Sequence, residues 1–378
     1  MKLGYLHLGG RRHGLDRYGR LLMTEAASRE AIATIDEELV VEGTPEDLER
    51  LTAAAEALGA ADVVHVQYNR AIWGGGRFQV EAIGRFLDAC PAPVVTTFHD
   101  VYPSDPWARW KRPSTLRKRF EKWRQERQVR GPQNRAARLL LHRGAAVVVC
   151  FEEERRRLAD FPNAGKLEVV GHFVEPRTAL PDREEARAAL DVEGRRVITM
   201  LGFIHPRKGY DLAIEALPSL SEDVLLVFAG AAAPGNDKKL RKMRERADAL
   251  GVGERLVVTG WLSDEEQERW LVATDLALCP FRFFSASGSM TTWLSAARPI
   301  LVHGLPQVDE YRAVSPGAFF TFAPYEAEAL ARSIDDALGR VGGGADEAIG
   351  RLAEEFSLVR TVDRHLEIYR AAARITES

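Results

Sequence analysis

The chain has 378 residues, enough for two ordinary α/β domains and too many for one typical core. Its 46% hydrophobic and 28% charged content is that of a globular protein, and a net charge of −3 excludes binding to polyanions through overall charge. Cys90, Cys150 and Cys279 are odd in number and far apart, which excludes a disulfide framework and cysteine metal sites and points to a reducing cytoplasm.

The opening residues 1–10 hold too short an apolar stretch for a signal peptide and read as a first strand at 3–8. Further strands are expected at 62–67, 93–98, 145–150 and 167–170, then at 197–201, 224–229, 256–259, 276–279 and 299–302. Helical patterns at 18–27, 44–58, 211–217, 236–250, 264–273, 326–338 and 358–373 lie between and after them. This alternation predicts an α/β protein built on two doubly wound, Rossmann-like parallel sheets. The first domain is expected over 1–176, a polar linker over 177–195, the second domain over 196–355, and a final helix over 356–378 that packs back on the first. No run approaches the ~20 apolar residues needed to cross a bilayer, so any membrane contact would be peripheral.

In open parallel sheets, ligands bind where strands end and loops enter helices. Four such loops are unusual. In Gly9-Gly10-Arg11-Arg12-His13-Gly14 the glycines let the backbone approach a ligand, and three cationic residues would crowd a helix N-terminus without an anion nearby. The spacing is not the dinucleotide fingerprint, and a plain turn is the alternative. In Thr97-Phe98-His99-Asp100, His99 sits at a strand tip, where a neutral imidazole can donate to a sugar hydroxyl or simply satisfy a loop carbonyl. In Gly202-Phe203-Ile204-His205-Pro206-Arg207-Lys208-Gly209, adjacent cations at a helix N-terminus suit a diphosphate, Arg207 as a fork and Lys208 as a point charge. The small residues Ser285–Ser289 allow close backbone approach, and the helix that follows would aim free N–H groups at an anion. No Asp-x-Asp pair occurs, so protein cations and helix ends, rather than a metal, are expected to neutralise a diphosphate.

Together these segments resemble the retaining family 4 glycosyltransferases of GT-B fold, most clearly over 197–311. There Gly202…Arg207-Lys208-Gly209, Gly260-Trp261-Leu262, Ala273-Thr274-Asp275 and the stretch 280–299 carry the likeness. In the first half it rests on Gly9-Gly10, the strand through His65, Thr97-Phe98-His99 and the segment 169–174. The resemblance implies two Rossmann-like domains facing a cleft, transfer of a sugar from a UDP- or GDP-linked donor with retention, and no cofactor or metal. It implies catalytic roles for His99, Arg207 and Lys208. The donor is expected on Gly10, Gly202, Phe203, Gly209, Trp261, Leu262, Ser287, Gly288, Ser289, Met290, Thr291 and Thr292. The acceptor is expected near Arg11, His13, Asp16, Arg17, Tyr68 and Asp100. Four positions depart from the pattern: Phe284 and Thr292 stand where paired glutamates are common, Phe203 replaces an arginine, and Ala297 a glycine.

Residues 107–143 carry thirteen Lys or Arg and two acids, interleaved with Trp107, Trp110, Phe120 and Trp123. Such an insertion within 103–143 suits an anionic membrane surface, an anionic or lipid-diphosphate acceptor, a lid over the cleft, or a solvated helix packed by its tryptophans; single-stranded nucleic acid is a weaker fit, and a glycan or lipid-linked acceptor is expected for the protein. The competing readings are a sugar-nucleotide epimerase or hydrolase, and a binding or partner protein that has lost activity. A dinucleotide oxidoreductase fits least, since neither half has its fingerprint.

Overall fold

The structure, a computed structural model, describes residues 1–10, 14–99, 101, 131–177, 179–232, 235–342 and 344–375. Arg11, His13 and Asp100, and the part of the basic segment before residue 131, lie outside the described residues.

Two compact units divide the chain, one of residues 1–172 with 358–378 and one of residues 173–357. The first is built on a parallel sheet of β1 (Lys2–Leu8), β2 (Ala33–Leu39), β3 (Val63–Tyr68), β4 (Val94–Phe98), β5 (Ala146–Val149) and β6 (Leu167–Val169), in the order β2-β1-β3-β4-β5-β6. Helices α1 (Gly14–Ala27), α2 (Pro45–Leu58), α3 (Phe78–Ala89), α4 (131–143) and α5 (Glu152–Leu158) connect the strands. A last helix of this unit, at Leu358–Ile375, is reached after the whole second unit and packs on α1, β3 and β4.

The faces of this sheet differ in chemistry. Side chains alternate along a strand, so Leu6, Leu8, Val64, Val66, Tyr68, Val94 and Phe98 share one face, in an apolar core with Leu51, Phe86 and Leu140. Tyr5, His7, His65, Gln67, Thr97 and His99 share the other, and all six are buried. Doubly covered parallel strands are usually apolar on both faces. Here one face carries six buried polar side chains, of which His65, Gln67, Thr97 and His99 hydrogen-bond among themselves.

The second unit has the order β12-β11-β10-β7-β8-β9. Its strands are β7 (Arg196–Leu201), β8 (Val224–Ala229), β9 (Leu256–Val258), β10 (Leu276–Cys279), β11 (Ile300–His303) and β12 (Phe320–Phe322). Its helices are α6 (Arg183–Ala189), α7 (Tyr210–Ala216), α8 (Asp237–Ala249), α9 (Asp264–Ala273), α10 (Gly288–Ser295), α11 (Pro306–Val314), α12 (Ala327–Arg340) and α13 (Glu347–Glu355); the helix at Leu358–Ile375 is then α14. Ile198, Met200, Leu226, Phe228, Leu278 and Leu301 fill the core beneath α7 and α12.

Three elements, α6, β2 and β12, differ from the sequence reading. Residues 177–195 were expected as a linker, but they belong to the second unit and carry α6. Arg183 and Arg187 of that helix reach Asp275 at 2.6 and 3.3 Å, and Arg187 also donates to the Ala273 carbonyl at 2.7 Å. Strands β2 and β12, absent from the expected set, close one edge of each sheet.

Candidate functional site

In the second unit the winding of the sheet reverses between β7 and β10, and the loops leaving those strands flank the crevice where such sheets bind ligands. Gly202 opens the first loop with φ +93°, a conformation that favours glycine, and a Cβ there would come within 2.8 Å of Lys208 Nζ. His205 then caps the turn Pro206–Lys208, its Nδ1 accepting from the Arg207 N–H at 3.3 Å. Gly209, at φ +80°, lets the chain pass beneath Pro280 and Tyr325, whose oxygens a Cβ would strike.

Lys208 joins the two loops. Its ammonium donates to the Leu201 carbonyl at 2.9 Å and to Ser289 Oγ at 3.4 Å, so it lies between the end of β7 and the first turn of α10. It keeps some solvent contact but is densely surrounded by protein atoms. Burial pushes its pKa down to about 8, the neighbouring Cys279 thiol opposes that fall, and Arg207 adds to it. The same burial pushes the Cys279 thiol up to about 12. Lys208's partners are a carbonyl and a hydroxyl, and neither carries the negative charge that a buried ammonium needs.

The second loop ends at Ser287, which caps α10 by accepting from the Met290 N–H at 3.4 Å. The first turn of α10 therefore presents backbone N–H groups beside the Lys208 ammonium. The Arg207 guanidinium lies 5.8 Å from the Phe283 ring, on that same second loop. Phe203 and Trp261 form an aromatic pair with centroids 5.9 Å apart, and at 47% and 65% exposed they are unusually open for large apolar rings. Leu262 beside them is half-buried. Met290 and Thr291 are buried, so their side chains serve packing, while Thr291 and Thr292 hydroxyls both donate to the Gly288 carbonyl within α10.

In the first unit, His99 follows β4 and its N–H pairs with the Tyr68 carbonyl at 2.9 Å. Its ring is buried against Tyr18 at 4.8 Å and lies 6.0 Å from His172. Nε2 sits 2.6 Å from Gln67 Oε1. Gly10, at φ +76°, is half-buried after β1, and Arg17 is exposed on α1.

Two residues expected as acceptor contacts are buried and held by other side chains. Tyr68 points to the apolar face, fully buried, with its hydroxyl donating to Gln79 Oε1 at 2.9 Å. Asp16 is buried, and Arg20 holds its carboxylate at 2.9 Å. The residue that faces His99 is Gln67, one position before Tyr68, which sequence reading missed. The period-2 rule could have found it, because 65, 67, 97 and 99 fall on one face.

A profile described as "Glycosyl transferases group 1" matches residues 182–340, and one described as "Glycosyltransferase Family 4" matches residues 41–178. The chain belongs to the family 4 glycosyltransferases. A 2-deoxystreptamine glucosyltransferase of Streptomyces kanamyceticus is 28% identical over 209 residues, which is 52% of this chain and 52% of that one. The chain thus spans about half the length of that curated relative. Sucrose-phosphate synthase from Thermosynechococcus elongatus superposes with a TM-score of 0.75 at 13% identity, covering 100% of both chains. Anabaena HepE, solved with UDP and glucose, superposes with a TM-score of 0.70 at 14% identity, covering 97% of this chain and 98% of that one. At these identities the two structures speak for the fold, the GT-B architecture.

Against the family 4 pattern, the departures have physical consequences. Phe284 is buried beside Phe281, so that position is part of the packing. Thr292 is tied to its own helix, and its single hydroxyl cannot replace the two carboxylate oxygens that would grip a diol. Ala297 adopts φ +47°, the left-handed backbone a glycine takes without strain. Among the described residues, no group of three His, Cys, Asp or Glu is arranged to hold a metal ion, and no helix is long and apolar enough to cross a membrane.

Proposed function

We propose that this family 4 glycosyltransferase transfers a sugar from a UDP-linked donor, with retention and without a metal, to a hydroxyl acceptor. The observation that carries the reading is Lys208, a buried ammonium without a carboxylate partner, placed against the N-terminus of α10 where a diphosphate would supply the missing charge. In this reading Lys208, Arg207 and the first turn of α10 stabilise the departing nucleoside diphosphate. Preorganised positive charge is the largest catalytic effect available to such a site. The open Phe203–Trp261 pair borders the same loops and suits the flat face of a base. His99 of the first unit orients a substrate hydroxyl. The UDP found with Anabaena HepE supports the choice of uridine over guanosine.

The test is turnover. UDP-glucose and GDP-mannose are incubated with a panel of sugar, aminocyclitol and lipid-linked acceptors in EDTA, and products are read by mass spectrometry and anomeric NMR. An α-glycoside from UDP-glucose that forms unchanged in EDTA supports the reading. An inverted product, loss of turnover in EDTA, or release of free sugar with every acceptor overturns it.

A further inference from the structure

Five of the nine histidines, His7, His65, His99, His172 and His365, lie in or beside the polar face of the first unit's sheet. β3, the end of β4 and α14 supply one chain of hydrogen-bond contacts through it, and Tyr5 of β1 stacks against it. His99 Nε2 lies 2.6 Å from Gln67 Oε1, and Gln67 Nε2 lies 2.8 Å from His65 Nε2. His65 Nδ1 is in short contact with the Tyr369 hydroxyl on α14, and Tyr5 stacks on His65 with centroids 5.8 Å apart. Thr97 Oγ1 is 3.1 Å from His65 Nε2 and 3.4 Å from His365 Nε2, and His365 Nδ1 is 2.8 Å from the Thr361 carbonyl. Every side chain in the chain is buried.

We infer that Gln67 is the positioning residue that fixes the tautomer of His99, holding its proton on Nε2. The orientation of the amide decides this, with Oε1 towards His99 and Nε2 towards His65. Its oxygen only accepts, so the His99 nitrogen facing it must donate; its NH2 only donates, so the His65 nitrogen facing it must accept. A neutral His65 then carries its own proton on Nδ1 and donates to Tyr369. Burial keeps His65 neutral, holding its pKa well below the ordinary value, with His365, His99 and His7 nearby acting in the same direction. His365, whose Nδ1 can only donate to the Thr361 carbonyl, presents an accepting Nε2 towards Thr97. Along the line His99–Gln67–His65–Tyr369 every hydrogen is thus donated in one direction, starting from His99 Nε2, while the single Thr97 hydroxyl proton is left for His365 Nε2. With Nε2 protonated, Nδ1 is the accepting nitrogen, so His99 takes a hydrogen bond from a substrate O–H rather than giving one to it. This last step rests on the proposal that His99 meets a substrate hydroxyl; the tautomer itself does not.

Nitrogen-15 histidine NMR on the full chain, without substrate, tests the tautomer. The His99 resonances are assigned by their loss in His99→Asn. The expected wild-type pattern is a protonated Nε2 and an unprotonated Nδ1 for His99, and the reverse for His65. In Gln67→Glu the carboxylate still accepts from His99, so Nε2 stays protonated across the titration. In Gln67→Leu the acceptor is gone and His99 shifts to a mixture of tautomers. A His99 protonated on Nδ1 in the wild type, or an unchanged tautomer in Gln67→Leu, would overturn the inference. Should Gln67→Leu not fold, the wild-type and Gln67→Glu spectra decide alone. A correct tautomer with no glycosyl transfer would sink only the functional reading.

Discussion

A protonated Lys208 is held by a carbonyl and a hydroxyl, and burial lowers its pKa to about 8 from an ordinary 10.5. Folding therefore works against the charge: stability is reduced below about pH 8 and rises as pH climbs from there to 10.5, where the unfolded chain also loses its proton. Lys208→Met keeps an unbranched chain and removes the charge. We expect its thermal midpoint at pH 7 to exceed that of the wild type, and the alkaline rise in stability to disappear. A midpoint lowered by the substitution would show that the ammonium is already compensated within the protein. Ala297 offers a second case at this scale. Its left-handed φ of +47° costs roughly 1 kcal/mol, so Ala297→Gly should be neutral or slightly stabilising in urea titrations, despite glycine's greater freedom when unfolded. A loss above about 1 kcal/mol would mean that the Ala297 methyl contributes packing.

At the scale of elements, α6 was hidden in the sequence because it has little apolar face to reveal it. Arg183 and Arg187 dock it on Asp275, whose carboxylate also accepts from the Val197 N–H at 2.7 Å. A charged stretch flanked by Pro176 and holding Pro181 reads as a linker unless the distant acid is known. Asp275→Ala should therefore destabilise the second unit by about 3–5 kcal/mol, the usual cost of stripping a shielded ion pair of one partner, and urea unfolding would read it. A loss below about 1 kcal/mol would mean that α6 is held by other contacts. The edge strands were hidden for different reasons. β2, ATIDEEL, is charged and only partly buried, and β12 has three residues, too few for a pattern. The buried strands, by contrast, were legible as apolar runs. Of the site, the glycines and cations after β7 could be read from residue type and position. Gln67 was missed because an amide inside a strand signals nothing by residue type, and only the alternation that puts 65, 67, 97 and 99 on one face could reveal it. Tyr68, a more conspicuous side chain, belongs to the opposite face and to the core.

At the scale of the whole molecule, a buried face of neutral histidines makes the first unit sensitive to acid. His365 is held down to about 4 by burial, which the Thr361 carbonyl partly opposes, and His65 is also lowered well below 6.5. The unfolded chain binds these protons more readily than the folded one. The contribution is complete above about 6.5 and is lost as pH falls towards 4, by roughly 3 kcal/mol for His365 alone. Urea midpoints measured from pH 7.5 to 4.5 should fall steadily, and His365→Leu should flatten that slope. An unchanged slope would place the acid sensitivity elsewhere.

The central claim is that the loops after β7 and β10 hold a nucleoside diphosphate through Lys208. Thermal shift with UDP and GDP, each with EDTA and at about a hundred times its dissociation constant, measures this directly, since such binding adds about 2.7 kcal/mol of stability. A clear shift with UDP is expected, one that survives EDTA and is absent in Lys208→Met, a variant expected to be at least as stable as the wild type. A UDP shift of equal size in Lys208→Met, or no shift with either nucleotide, would contradict it.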